Sequence, residues 1–239
     1  MVLIRKNFYM INVEQIFTDK FHFITSYPDN KYIEKTVAYI YRNEYKNGKF
    51  VTSEMGRLDV YMRNGETYSF ETFVTGTASQ YGIQVSADGK YIYVISNIKG
   101  LWCYTCTGEI VWKTRYTSVA EVFPHADNKI TCVMGNYLAI LDENGKVIKK
   151  VPTSGEGAQG RVSDDLIASM TSPNVITFFD SMTLERKFRI AVDRLGLRGF
   201  SRARLEGCFL IIKGWPKNED IEYSVECKVA LEELSEYSP

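Results

Sequence analysis

An all-β fold, organised as a single small β-propeller, is predicted by three observations. A short apolar strand ending in a turn recurs through the chain, a continuous apolar run precedes three of the copies, and a turn-forming pair precedes each of those runs. The recurring segments are residues 57–65 (RLDVYMRNG), 100–108 (GLWCYTCTG), 137–145 (YLAILDENG) and 175–183 (VITFFDSMT). Aligned on Leu58, Leu101, Leu138 and Ile176, they are 43, 37 and 38 residues apart. A spacing of about forty residues is the length of one four-stranded blade.

The elements follow in order. Residues 7–13 and 21–25 read as two strands without partners, and the stretch 1–26 is expected to complete the last blade and remove an open sheet edge. Five repeats are expected, at 36–75, 80–118, 119–157, 158–194 and 199–233; six blades is the alternative count. The runs at 91–95 (YIYVI), 130–134 (ITCVM) and 166–170 (LIASM) are apolar on both faces, as strands sandwiched between layers are. Each follows Asp88-Gly89, Asp127-Asn128 or Asp164-Asp165, residues that tolerate the backbone of a tight hairpin. The fifth repeat has decayed. It offers 208–212 (CFLII), a loop through Trp215, and 221–225 (IEYSV), with no turn glycine. No segment carries a helical pattern longer than two turns.

Residues 86–94 (SADGKYIYV) and 100–113 (GLWCYTCTGEIVWK) resemble the WD40-like and quinoprotein-like propeller repeats. In those families the first string is an inner strand and the second contains an outer hairpin. The resemblance extends over roughly residues 36–233 as a fold and implies shape rather than activity. Quinoprotein dehydrogenases also carry a vicinal cysteine pair and calcium ligands. The chain has no such cysteine pair, so their cofactor is not carried over.

Composition narrows the function classes. Lys plus Arg equals Asp plus Glu at 29 each, so no global field draws the chain to nucleic acid or an anionic membrane. The N-terminus lacks the charged start and apolar stretch of a secretory signal, and no run approaches a membrane helix, so a cytoplasmic protein is expected. Five cysteines scattered through strand-like segments suit reduced thiols.

Three motifs reduce to structure. Gly155, Gly157 and Gly160 match a dinucleotide-binding spacing, but strands rather than a helix N-terminus are expected to follow. Cys103 aligns with Val60, Ile140 and Phe178 at an apolar strand position and Cys106 with a turn, so the pair is not a metal clamp. His125 starts a tight turn and is expected to be solvated. With His22 and His125 alone, no nucleophile–base pair is indicated, and no catalytic residue, metal ligand or cofactor is assigned.

Charge is segregated. Residues 186–204 hold seven cations and one anion, and residues 219–236 hold seven anions and one cation. These are either adjacent blade edges that pair with each other or patches that steer a partner. Loops between blades are expected to gather Tyr81, Gln84, Glu121, Phe123, Arg161, Arg198 and Arg202 on one face, a mixture typical of protein-binding surfaces. Glu219, Asp220, Glu222 and Glu226 form an acidic patch. The expected function is non-catalytic binding of another protein, in its narrowest form as an immunity protein neutralising a bacterial toxin. The alternative is a small-ligand or hydrolytic site at the channel mouth around Arg161, Arg198 and Arg202. RNA binding is disfavoured by the neutral charge and by the lack of aromatics among 198–204 beyond Phe200.

Overall fold

Turn chemistry sets the hairpins. Four times the chain reverses through the same five-residue turn: 62–66, 105–109, 125–129 and 142–146. In each, the first N–H donates to the fifth carbonyl and the first carbonyl accepts from the fourth N–H. The fourth residue is Gly65, Gly108, Asn128 or Gly145, with φ of 90°, 94°, 61° and 75°. That left-handed backbone is open to glycine and asparagine at least cost. The turn after Asp180 differs. There Leu184 takes φ 54°, while the Asp180 carboxylate accepts from the N–H groups of Met182 and Thr183. The Leu184 side chain is buried in the core beneath, which offsets the strained backbone.

The computed structural model describes residues 22–40, 43–46, 49–52, 55–73, 82–96, 100–116, 119–154, 159–163, 165–172, 174–217 and 224–237. The chain divides into two compact units, Met1–Val119 and Ala120–Pro239.

In the first unit, sheet 1 consists of β1 (His22–Ser26), β2 (Ile33–Ile40), β5 (Met55–Met62) and β6 (Thr67–Phe73), with a hairpin of β3 (Asn43–Lys46) and β4 (Lys49–Thr52) between β2 and β5. Sheet 2 consists of β7 (Ile83–Val85), β8 (Tyr91–Ser96), β9 (Gly100–Thr105) and β10 (Ile110–Lys113). Leu58 and Val60 of sheet 1 pack on Ile92 and Val94 of sheet 2 in a buried core.

In the second unit, sheet 3 consists of β11 (Val119–Pro124), β12 (Ile130–Met134), β13 (Tyr137–Leu141) and β14 (Val147–Pro152). Sheet 4 consists of β15 (Gln159–Ser163), β16 (Leu166–Ser172), β17 (Val175–Asp180) and β18 (Arg186–Ala191). Sheet 5 has three strands, β19 (Leu197–Glu206), β20 (Phe209–Pro216) and β21 (Val225–Ala230). Phe123, Leu138 and Ile140 of sheet 3 meet Ile167 and Phe179 of sheet 4. The other face of sheet 4, through Ala168, Ile176 and Phe178, meets Phe200, Leu210 and Ile212 of sheet 5. Among the described residues the helical segments are two 3-10 turns, Val192–Leu195 and Leu231–Tyr237. No helix there is long and apolar enough to cross a membrane.

The expected architecture of successive antiparallel sheets is present, with two corrections. Residues 22–26 do not complete the last blade: they pair along β2 in sheet 1, from His22 opposite Tyr39 to Ser26 opposite Lys35. The turn behind them is fastened from several sides. Asn30 accepts from the N–H groups of Tyr32 and Ile33 and donates to the Ser86 carbonyl, while Arg63 donates to the carbonyls of Tyr27, Pro28 and Asn30. Residues 1–21 lie outside the described residues. In the decayed repeat, Trp215 lies within β20 instead of a loop, and the strand that pairs with β20 begins at Val225, where the expected strand 221–225 ended.

Candidate functional site

Strand alternation brings three of the expected surface residues together between sheets 3 and 4. Glu121 and Phe123, two apart on β11, share a face, and Arg161 on β15 shares its face with Ile167 opposite it. Arg161 donates its backbone N–H to Glu121 Oε2 at 3.3 Å, and its Nε lies 3.8 Å from Oε1. Its guanidinium carbon sits 4.7 Å from the centre of the Phe123 ring. A side chain at Gly160 would crowd the same carboxylate, since its Cβ would lie 3.3 Å from Glu121 Oε2. Glu121 is 8% exposed. Burial pushes its carboxyl above the usual carboxylate range, opposed by the Arg161 charge and N–H. Phe123, 2% exposed, is part of the core and supports Arg161 from beneath.

These positions lie in the first strands of their sheets rather than in loops between blades. Gln84 is likewise in β7, half-buried, and Arg198 and Arg202 are exposed on β19. Tyr81 lies outside the described residues. Arg161 and Arg202 do not converge: Arg161 faces sheet 3, whereas Arg202 lies opposite Lys213, which in turn lies opposite Glu226, on the face of sheet 5 turned away from sheet 4.

His125, expected to be solvated, is buried, and it forms the second polar link between the same two sheets. Its Nε2 lies 2.9 Å from Thr131 Oγ1, and the Thr131 hydroxyl donates to the Ser181 carbonyl. With that hydroxyl proton committed to Ser181, Thr131 accepts from the ring, which places the imidazole proton on Nε2. Burial holds the His125 pKa below its ordinary value. The arrangement is a chain of donors ending on a carbonyl, not a base poised on a nucleophile. The buried thiols are similarly quiet, with Cys103 pushed up to about 12 and Cys132 pushed up as well by burial.

The basic and acidic stretches meet in sheet 5. Arg204 forks Glu226 through Nη1–Oε1 at 2.7 Å and Nη2–Oε2 at 3.0 Å, and its Nε donates to Glu206 Oε1 at 2.7 Å. Glu219, Asp220 and Glu222 lie outside the described residues. Sequence reasoning missed Trp215. Its ring packs on Gly199, where a Cβ would lie 3.2 Å from Trp215 Cε3, and it remains 40% exposed. The signal was available: a glycine facing a tryptophan across a strand pair leaves room for the ring.

Comparison with solved structures places this geometry among known folds. The chain is similar to the WD40 domain of Pan2 from Neurospora crassa, at 11% identity and a TM-score of 0.50, covering 88% of this chain and 62% of that domain. It is also similar to the C-terminal WD40 domain of Sif2 (16% identity, TM-score 0.49, 80% of this chain and 54% of that one) and to Saccharomyces cerevisiae Sqt1 (11%, 0.49, 80% and 56%). The chain thus spans little more than half the length of these solved chains. No family model matches it, and no curated protein does. The fold is that of a β-propeller.

Proposed function

We propose that this chain is a non-catalytic, cytoplasmic β-propeller that binds another protein, and that Trp215, Arg198 and Arg202 are the centre of its contact surface. The observation that carries this reading is the exposed tryptophan on Gly199 with two exposed arginines on the same strand pair. Neither arginine forms an ion pair among the described residues. Tryptophan and arginine dominate the energetics of protein interfaces because each offers a large contact area and directed polarity at small entropic cost. The polar groups of the sheet 3–sheet 4 seam support the reading from the other side, since Glu121 and His125 are engaged with neighbouring side chains. Glu226, on the same face of sheet 5 as Arg202, is a second contact in this proposal, whereas Glu121 and Phe123 are buried between sheets 3 and 4 and take no part in it.

The test is affinity capture from cells of the native organism at moderate salt, with the wild-type chain and Trp215→Ala in parallel. A stoichiometric partner that is retained by the wild type and lost by the variant is the expected result. Retention of the same partner by both would remove Trp215 from the interface, and no partner for either would overturn the binding reading. The narrowest form of the proposal is an immunity protein. It requires the captured partner to be a toxin whose activity stops on addition of an equal amount of this chain.

A further inference from the structure

We infer that a cleft between the outer strands of sheets 3 and 4 binds a small organic anion, with a carboxylate or phosphate head held between Arg186 and Arg189 and an apolar body on the floor. The cleft has a volume of about 410 Å3, within the range of roughly 300–1,000 Å3 usual for small-molecule sites. Its apolar lining comes from Val151 and Pro152 on β14 and from Phe179 and Leu184 of sheet 4. Register puts the two cations over that floor: Arg186 lies opposite Phe179 and Arg189 opposite Thr177, so both side chains leave the face that lines the cleft.

These two arginines differ from their neighbours. Lys187 is paired with Asp180 at 3.1 Å, Arg204 with Glu226 and Arg161 with Glu121. Arg186 and Arg189 form no ion pair among the described residues, and no carboxylate lines the cleft. A second observation points the same way. Thr171 and Thr177 line the cleft with their hydroxyl oxygens 2.6 Å apart. One of the two protons bridges the pair, which leaves the other hydroxyl proton to donate elsewhere. Thr177 is only 2% exposed, so water is a restricted acceptor for it. The cleft therefore presents two guanidiniums and one spare O–H over an apolar floor, a set of donors that is satisfied by an oxyanion on a hydrophobic body.

The experiment is a two-dimensional amide NMR titration of the full chain with 3-phenylpropionate and with phenyl phosphate, with neutral 3-phenylpropanamide as the control. Saturable shifts confined to residues 151, 171, 177–179 and 184–189 are expected for at least one anion, with the neutral amide binding at least about tenfold more weakly. Carboxylate-only or phosphate-only binding supports the site and names its head group. Arg186→Gln/Arg189→Gln should weaken the anion at least about tenfold. Should that double variant unfold, the single Arg186→Gln, at an exposed position, carries the same test. Absence of saturation by both anions, equal binding of the amide, or unchanged affinity in the arginine variants would overturn the inference.

Discussion

Sheet 4 has two faces that solve the same packing problem differently. Towards sheet 5 it presents Ala168, Met170, Ile176, Phe178 and Ile190, and the layer between is apolar throughout. Towards sheet 3 it presents Ile167 and Phe179 together with Arg161, and receives Glu121 and, through Ser181, Thr131 and His125. The apolar seam is held by area and fit, which do not depend on the protonation of any one group. The polar seam depends on particular donors and acceptors, and each is costly to leave unmatched once buried. The difference teaches where chemistry can reside in such a stack: the polar seam holds Glu121 and His125, buried groups whose charge can change, and the cleft opens at its outer end.

The largest break in this contrast should come from the apolar side. Phe178 is fully buried and stacks on Phe188 at 4.4 Å between ring centres. Phe178→Ala should cost about 3–5 kcal/mol in denaturant unfolding, with the midpoint shifted and the pH profile unchanged in shape. Thr131→Val is the matching test of the polar seam. It keeps the volume but takes an acceptor from His125 and a donor from Ser181, and should cost about 1–3 kcal/mol. A loss as large as that of Phe178→Ala would mean that the polar link, not apolar area, holds these sheets.

Two pH effects sharpen the comparison. The folded pKa of His125 lies below its ordinary value of 6.5 because burial disfavours the imidazolium. The unfolded chain therefore takes up the proton first, and stability is full above about pH 6.5 and declines as pH falls towards the folded pKa. Glu121 acts in the opposite direction. Burial holds its folded pKa above its ordinary value of 4.5, so its contribution is most favourable below that value and is lost as pH rises through the folded pKa. His125→Gln should remove the decline below pH 6.5, and Glu121→Gln the loss on the rising side, when unfolding midpoints are compared between pH 4 and 8. The smallest effect is expected for Arg204→Lys. It replaces a forked but solvent-exposed pair and should leave the unfolding midpoint within experimental scatter.

Much of the fold was legible because its signals are local. A turn needing a left-handed residue shows as Gly65, Gly108, Asn128 or Gly145, and a strand buried on both faces shows as the run 130–134. The propeller repeat follows from their spacing. The hairpin β3–β4 was not legible, since its strands fall inside the first expected repeat without their own period. The polar seam was only partly legible. Glu121, Phe123 and Arg161 were singled out as surface residues, but a charged side chain in a strand does not reveal which neighbouring sheet will cover it. His125 was misread for a similar reason: its turn is local, while the groups linked to it are Thr131 on β12 and Ser181 in the turn after β17. The cleft depends on β14, β16, β17 and β18 together, and no single segment announces it.

The β3–β4 hairpin has a practical consequence. The chain leaves sheet 1 after Ile40 and returns to it at Met55, and Ile40 lies directly opposite Gly56, so the antiparallel ladder between β2 and β5 starts where the excursion closes. The length of the excursion does not set the alignment of those strands, and the entropy of closing a longer loop grows only logarithmically. The interval between Ile40 and Met55 is therefore a graft point. An epitope, a fluorescent reporter or a whole folded module can replace the hairpin there while the β2–β5 ladder keeps its register.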